Sequence, residues 1–184
     1  MADPSFADGV LARRRRIEYR LAILIGDQEL VSSSRRSLRE GRDEFETRNP
    51  PDWIAANLLA DMRAAASLKD RETIDALSTR AKSLFDRLAK ARKESDAGYR
   101  ELALAFAVAG DEAAMTAALG KLKDDKEDWK LAGVVAEACI DLARHGHIEP
   151  ALRCATRVEA TKRPLWEFRS LKVHAEIASA LSSR

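Results

Sequence analysis

Along most of this chain an apolar residue returns every third or fourth position, as in Ile74, Leu77, Ala81, Leu84 and Leu88 between Arg71 and Ala91. That spacing puts the apolar groups on one face of an α-helix. Only 8 glycines and 5 prolines interrupt 184 residues, and most of them separate stretches rich in Ala, Leu, Glu, Lys and Arg, the strong helix formers. Alternating β-branched runs are absent, so strands have no support. The expected class is all-α.

Asn49-Pro50-Pro51-Asp52 is the sharpest break, because each proline pushes its predecessor out of helical geometry. Helices are expected at about 6–25 and 28–46 before it and at 53–67 after it, with 71–91 capped by Asp70. Asp96 caps the next, with the buried stripe Tyr99, Leu102, Ala103 and Phe106 ending at a left-handed Gly110. A shorter helix carries Met115, Ala118, Leu119 and Leu122. Asp125 and Asp128 mark the start of a stripe of Leu131, Val135, Ala138 and Leu142 that stops at Gly146. Ile148, Ala151, Leu152, Ala155 and Val158 continue, with Pro150 tolerated in the first turn. Pro164 precedes a last helix bearing Phe168, Leu171, Ala175 and Ala178. About nine helices result. They form a single helical domain over 1–184, with irregular N-terminal helices in 1–48 and helical hairpin repeats over 49–184.

A repeat near 36 residues shapes the rest of the reading. Tyr99, Leu102, Ala103, Phe106 and Gly110 correspond, 36 positions on, to Val135, Ala138, Cys139, Leu142 and Gly146; a further shift gives Leu171, His174, Ala175 and Ala178. Trp53, Trp129 and Trp166 fall near the starts of first helices, 76 and 37 residues apart. The stretch 96–181 resembles the tetratricopeptide repeat family, in a degenerate form. Val135 and Leu171 stand where the family has an aromatic residue, the proline near the unit end occurs only as Pro164, and Asp61 falls on the inner stripe of 53–91. The resemblance implies antiparallel helix-turn-helix pairs stacked as a short α-solenoid, each pair covering its apolar face against its neighbours.

Composition narrows the function classes. Lysines and arginines number 32 against 30 acids, so there is no broad field to attract nucleic acid or anionic lipid. No apolar run approaches the ~20 residues of a spanning helix, and Met1–Asp8 carries acids where a secretory leader needs cations. A cytoplasmic protein without membrane contact is expected. Cys139 and Cys154, inside apolar helical patterns, fit reduced, buried thiols better than a disulfide framework. With His145, His147 and His174 they are the only soft ligands, yet Cys139 and His145 lie roughly 9 Å apart along a helix axis, too far for one zinc ion. His145 and His147 are expected to cap helix ends or face water, and His174 to border the core. No cofactor or metal is expected.

Enzymatic signatures are missing: no glycine-rich phosphate loop, Gly-x-Ser-x-Gly elbow or His-Glu-x-x-His helix occurs, so the chain is read as a non-enzyme. Arg13-Arg14-Arg15-Arg16 is the strongest charge run and could dock phosphates, which keeps a nucleic-acid-binding regulator as the alternative. Four successive helical residues point around a whole turn, however, and no stacking aromatics interleave them, so nucleic acid is the lesser expectation. The favoured reading, implied by the resemblance, is a scaffold that binds a protein or peptide in a groove formed by first helices. Groove-facing positions would include Arg100, Leu104, Ala107, Ile140, Arg144, Arg169, Lys172 and Glu176. Their mixed basic and apolar character suits an acidic segment with an apolar anchor. Ala107 and Ile140 could alternatively be covered by the N-terminal helices. The last helix, Leu165 to Leu181, has no capping partner and offers a surface for a homodimer.

Overall fold

At four points the backbone swings into the left-handed region and a new helix begins two residues on. The positive-φ residues are Gly26 (φ 77°), Lys69 (φ 57°), Gly110 (φ 78°) and Gly146 (φ 83°). Asp27, Asp70, Asp111 and His147 follow them. Helices end this way because a left-handed residue lets the following amides satisfy the last free carbonyls. Gly110 N–H bonds Ala107 O at 3.0 Å and Asp111 N–H bonds Phe106 O at 2.9 Å; 36 residues on, Gly146 N–H bonds Ala143 O at 3.0 Å and His147 N–H bonds Leu142 O at 2.8 Å. Lys69 and Asp70 repeat the pattern onto Ala66 and Ala65. Each aspartate then accepts amide hydrogens of the next helix: Asp27 from Glu29 and Leu30, Asp70 from Thr73, Asp111 from Ala114.

A computed structural model describes residues 4–91, 96–122, 128–159 and 164–182, without the side chains of 4–8, 91, 128–130, 157–159 and 164–168. Among these residues all regular structure is helical: α1 (Pro4–Ile25), α2 (Gln28–Arg48), α3 (Pro51–Ser67), α4 (Arg71–Ala91), α5 (Asp96–Ala109), α6 (Glu112–Leu119), α7 (Asp128–Arg144), α8 (Ile148–Glu159) and α9 (Pro164–Ser182). The third begins two residues earlier than expected, since Pro51 suits a first turn that needs no amide hydrogen.

The four turns fold the chain into pairs: α1 packs on α2, α3 on α4, α5 on α6 and α7 on α8. α3, α5, α7 and α9 also lie side by side in that order, and α4 and α8 reach forward to α5 and α9. α5 is the centre of this arrangement. Every residue from Leu102 to Val108 is buried, so the helix is apolar all round. Phe85 meets Tyr99 and Phe106 edge to face, at 5.7 and 6.4 Å between ring centroids.

The first two helices dock through charge. Asp61, buried on α3, accepts Arg16 of α1 at 3.0 Å and Arg42 of α2 at 3.1 Å. Asp70, buried at the head of α4, accepts the Tyr19 hydroxyl at 2.5 Å and a two-pronged grip from Arg35 at 2.8 and 3.0 Å. Asp61 breaks the apolar phase of α3 because it is the counter-charge for two arginines.

Several expectations need correction. Cys139 and Cys154 are not free thiols but a disulfide, with Cα atoms 5.5 Å apart. Lying seven residues before Gly146 and eight after it, they face each other across the α7–α8 hairpin at a separation a disulfide spans. The thiol argument for a cytoplasmic protein thereby falls away. The third repeat window is out of phase: Leu171, His174, Ala175 and Ala178 are exposed, and Val173 and Ile177 are buried instead. α9 carries apolar groups on both faces, so periodicity alone does not choose its orientation. Leu152 is also exposed, and Leu122 lies beyond the end of α6. Of the tryptophans, Trp53 is exposed, while Trp129 and Trp166, like Asp125, Val158 and Phe168, fall outside the described side chains.

Two stability measurements check this account. Lys69→Gly removes the strain of an L-residue at positive φ and is expected to stabilise by roughly 0.5–1 kcal/mol in denaturant titration. Gly110→Ala is expected to destabilise by about 1–3 kcal/mol, because φ is 78° and the new Cβ would lie 2.4 Å from the His147 ring. Separately, thiol titration of unfolded, unreduced protein is expected to find no free Cys139 or Cys154. Reduction of this 15-residue loop should lower stability by about 3 kcal/mol.

Candidate functional site

Arg63 of α3, together with residues of α7 and α9, bounds a hollow of about 660 Å³. Its floor is small and apolar, made by Gly133, Ala136 and Ile140 of α7, and its walls carry Arg63, Arg144, Arg169 and Lys172. A Cβ on Gly133 would sit 2.8 Å from an Arg169 guanidinium nitrogen, so the glycine is what lets that group lie against the α7 backbone.

Paired charges hold the walls. Arg63 donates to Asp141 at 2.6 Å and to Glu137 at 2.9 Å, joining α3 to α7. Arg144 grips Glu176 through two bonds, at 2.5 and 3.0 Å, joining α7 to α9. Burial pushes the Asp141 carboxyl above its usual range, although Arg63 pulls the other way. The bond from Arg144 holds Glu176 below its usual range. His145, at the edge of the hollow, is driven from 6.5 to about 4, first by burial and then by the positive fields of His147, Arg63 and Arg144.

Of the residues expected to face a groove, Ile140, Arg144, Arg169 and Lys172 line this hollow, and Glu176 joins it through Arg144. Arg100 stands beside it, exposed and 3.5 Å from Glu137. Leu104 and Ala107 do not belong: both are buried in the core, because α5 is packed among α3, α4, α6 and α7. Ile140 is mostly covered too, at 8% exposure. Sequence reasoning missed Arg63, Glu137, Asp141 and His145. The signal for two of them was a lone charge inside an apolar run, Met62-Arg63-Ala64 and Ile140-Asp141-Leu142. Such a charge requires a partner on a neighbouring helix.

The arginine run is dispersed. Arg16 is committed to Asp61 and Asn57, Arg14 to Glu18 within the same helix at 2.8 Å, and Arg15 approaches Glu44 at 4.0 Å while lying over Gly41. Arg13 borders a second hollow of about 590 Å³ between α1 and α3, with Arg16, Ile17 and Arg20 on one side and Ala56 and Ala60 on the other. Arg63 touches both hollows.

The histidines take different places. The His147 ring lies over the Gly110 turn and its Nε2–H donates to Val108 O at 3.3 Å, tying two successive hairpin turns together. His174 is exposed on α9 rather than bordering the core. Among the described residues no group of three or more His, Cys, Asp or Glu side chains is arranged to hold a metal ion, and no helix is long and apolar enough to cross a membrane.

The depressed His145 fixes the sign of a pH effect. Between pH 6.5 and about 4 the unfolded chain takes up a proton that the folded protein refuses, so stability falls as pH drops through that window. His147, also lowered by burial, acts in the same direction. His145→Gln is expected to make the decline shallower in urea titrations at a series of pH values; an unchanged slope would contradict the assignment. Comparison of the chain with protein-family models, with curated proteins and with solved structures gave no match.

Proposed function

We propose that this protein is a non-catalytic interaction scaffold, a short α-solenoid of tetratricopeptide-like hairpins that binds an acidic protein or peptide segment in the hollow between α3, α7 and α9. The observation that carries the reading is the convergence of Arg63, Arg144, Arg169 and Lys172, from three helices distant in sequence, around an apolar floor. The acids among them, Glu137, Asp141 and Glu176, already engage Arg63 and Arg144, which pre-positions the guanidinium groups. An incoming carboxylate exchanges with these partners, while an apolar side chain covers Ala136 and Ile140. Exposed Lys172 adds a point charge that steers association.

A nucleic-acid reading has less support, since three members of Arg13–Arg16 are occupied by carboxylates of the same chain. A gel-shift titration at low salt distinguishes the two: a steep salt slope lost on Arg13→Ala would favour phosphate binding.

The direct test is selection from a random displayed-peptide library on the purified protein. Selected peptides are expected to be enriched in Asp and Glu around an apolar residue. Lys172→Glu combined with Arg169→Glu is expected to weaken the best of them by at least about tenfold. Equal affinity for wild type and the double variant rejects the groove assignment.

A further inference from the structure

Seven of the exposed large apolar side chains crowd onto α1 and the start of α2: Val10, Leu11, Ile17, Leu21, Leu24, Ile25 and Leu30. On α1 they are ordered. Writing a heptad with Arg14 and Leu21 at a, and Val10, Ile17 and Leu24 at d, puts Leu11, Glu18 and Ile25 at e and Arg13 and Arg20 at g. From Val10 to Ile25 every a, d, e and g residue is exposed, and every b, c and f residue, namely Ala12, Arg15, Arg16, Tyr19, Ala22 and Ile23, is turned toward the protein. The helix therefore shows its own body the side that a coiled coil leaves to solvent. It shows solvent the side that a coiled coil buries, with Val10, Ile17, Leu21 and Leu24 between 50% and 74% exposed.

We infer that α1 pairs in parallel with α1 of a second copy of this chain, through a seam of Val10, Arg14, Ile17, Leu21 and Leu24. Charge selects that occupant and that direction. In a parallel pair each g residue faces the e residue five positions on in the partner helix, which sets Arg13 against Glu18 twice about the two-fold axis. Arg20 meets Ile25, against which its methylene stem packs. In an antiparallel pair g faces g, and Arg13 would oppose Arg20. Arg14, the one polar a residue, carries its own neutralising partner in Glu18 at 2.8 Å. A polar a position of this kind favours one register over slipped alternatives.

The seam is short, and two free peptides of this length would stay apart. Here each helix is already held by Asp61 and Asp70 through Arg16 and Tyr19, so pairing does not have to order it. The b, c and f side lies against the body, and on the g side Arg13 and Arg20, with Ile17 at d, border the open hollow against α3. Among the described side chains of α9 the exposed large apolar residues are Leu171 and Leu181, ten positions apart, and they form no continuous seam.

Sedimentation equilibrium of the full chain over a concentration series tests the proposal. Wild type is expected to dimerise, and Leu21→Glu with Leu24→Glu to weaken self-association by at least about tenfold without changing the circular dichroism, both side chains being exposed in the folded monomer. Leu24→Cys is expected to cross-link to itself under mild oxidation, since like positions meet in a parallel pair, whereas the native cysteines are buried and bonded to each other. A wild type that stays monomeric overturns the inference, as does a dimer indifferent to Leu21→Glu and Leu24→Glu but lost on Leu171→Glu. Cross-linking only between a Val10→Cys chain and a Leu24→Cys chain overturns it in favour of an antiparallel pair. A monomer that floats with phosphatidylserine vesicles, and not with phosphatidylcholine vesicles, assigns the same face to anionic lipid and overturns it as well.

Discussion

Everything in this fold depends on the chain reversing direction at a left-handed residue whose successor starts the next helix. A helix with one apolar face gains little stability alone and must lie against another. The reversals at Gly26, Lys69, Gly110 and Gly146 supply that neighbour from the next stretch of chain, through contacts of short sequence separation. Each leaves the last carbonyls of one helix satisfied, and at three of them Asp27, Asp70 or Asp111 also satisfies the first amides of the next. What remains is to stack the pairs, and α5 does so because it is apolar on all sides.

The two halves of the protein hold together by different physics. From α5 onward the core is built mainly of Leu, Ala, Val and Phe, with the ion pairs of Arg63 and Arg144 at its edge. Between α1, α2 and the remainder, buried carboxylates do the joining: Asp61 receives one arginine from each of the first two helices, and Asp70 receives an arginine and a tyrosine. Such clamps contribute modest net stability, because both ions are desolvated, but they tolerate no substitution of one partner alone. They also fix orientation, since a guanidinium engages a carboxylate through a planar fork.

How much of this was legible in the sequence follows from the same distinction. Helix positions, the Asp70 cap and the turns at Gly110 and Gly146 were readable, since apolar spacing and glycine report local conformation. The recurrence of Gly-Asp, Lys-Asp, Gly-Asp and Gly-His at the four reversals was also on the page, but its spacings of 43, 41 and 36 residues hid it from a search at one period. Long-range pairing was less visible. Nothing local says that Arg63 meets Asp141, or that Leu104 lies in the core instead of a groove. The cysteines failed for a different reason: composition suggested free thiols, whereas the hairpin geometry already set the two side chains opposite each other. In α9 two apolar faces competed, and only packing against α7 and α8 shows that Val173 and Ile177 prevail over Leu171.

The placement of the single covalent bridge shapes how the protein comes apart. It joins α7 to α8, the two helices on which α9 rests, and links neither to α5. Elements held by few buried contacts open locally at lower cost than the core. Should α9 loosen, the hairpin beneath it stays joined, because the bridge keeps α7 from parting with α8. Loosening of α9 alone would carry Lys172, Arg169 and Glu176 away from the hollow while leaving Arg63 and Arg144 in place.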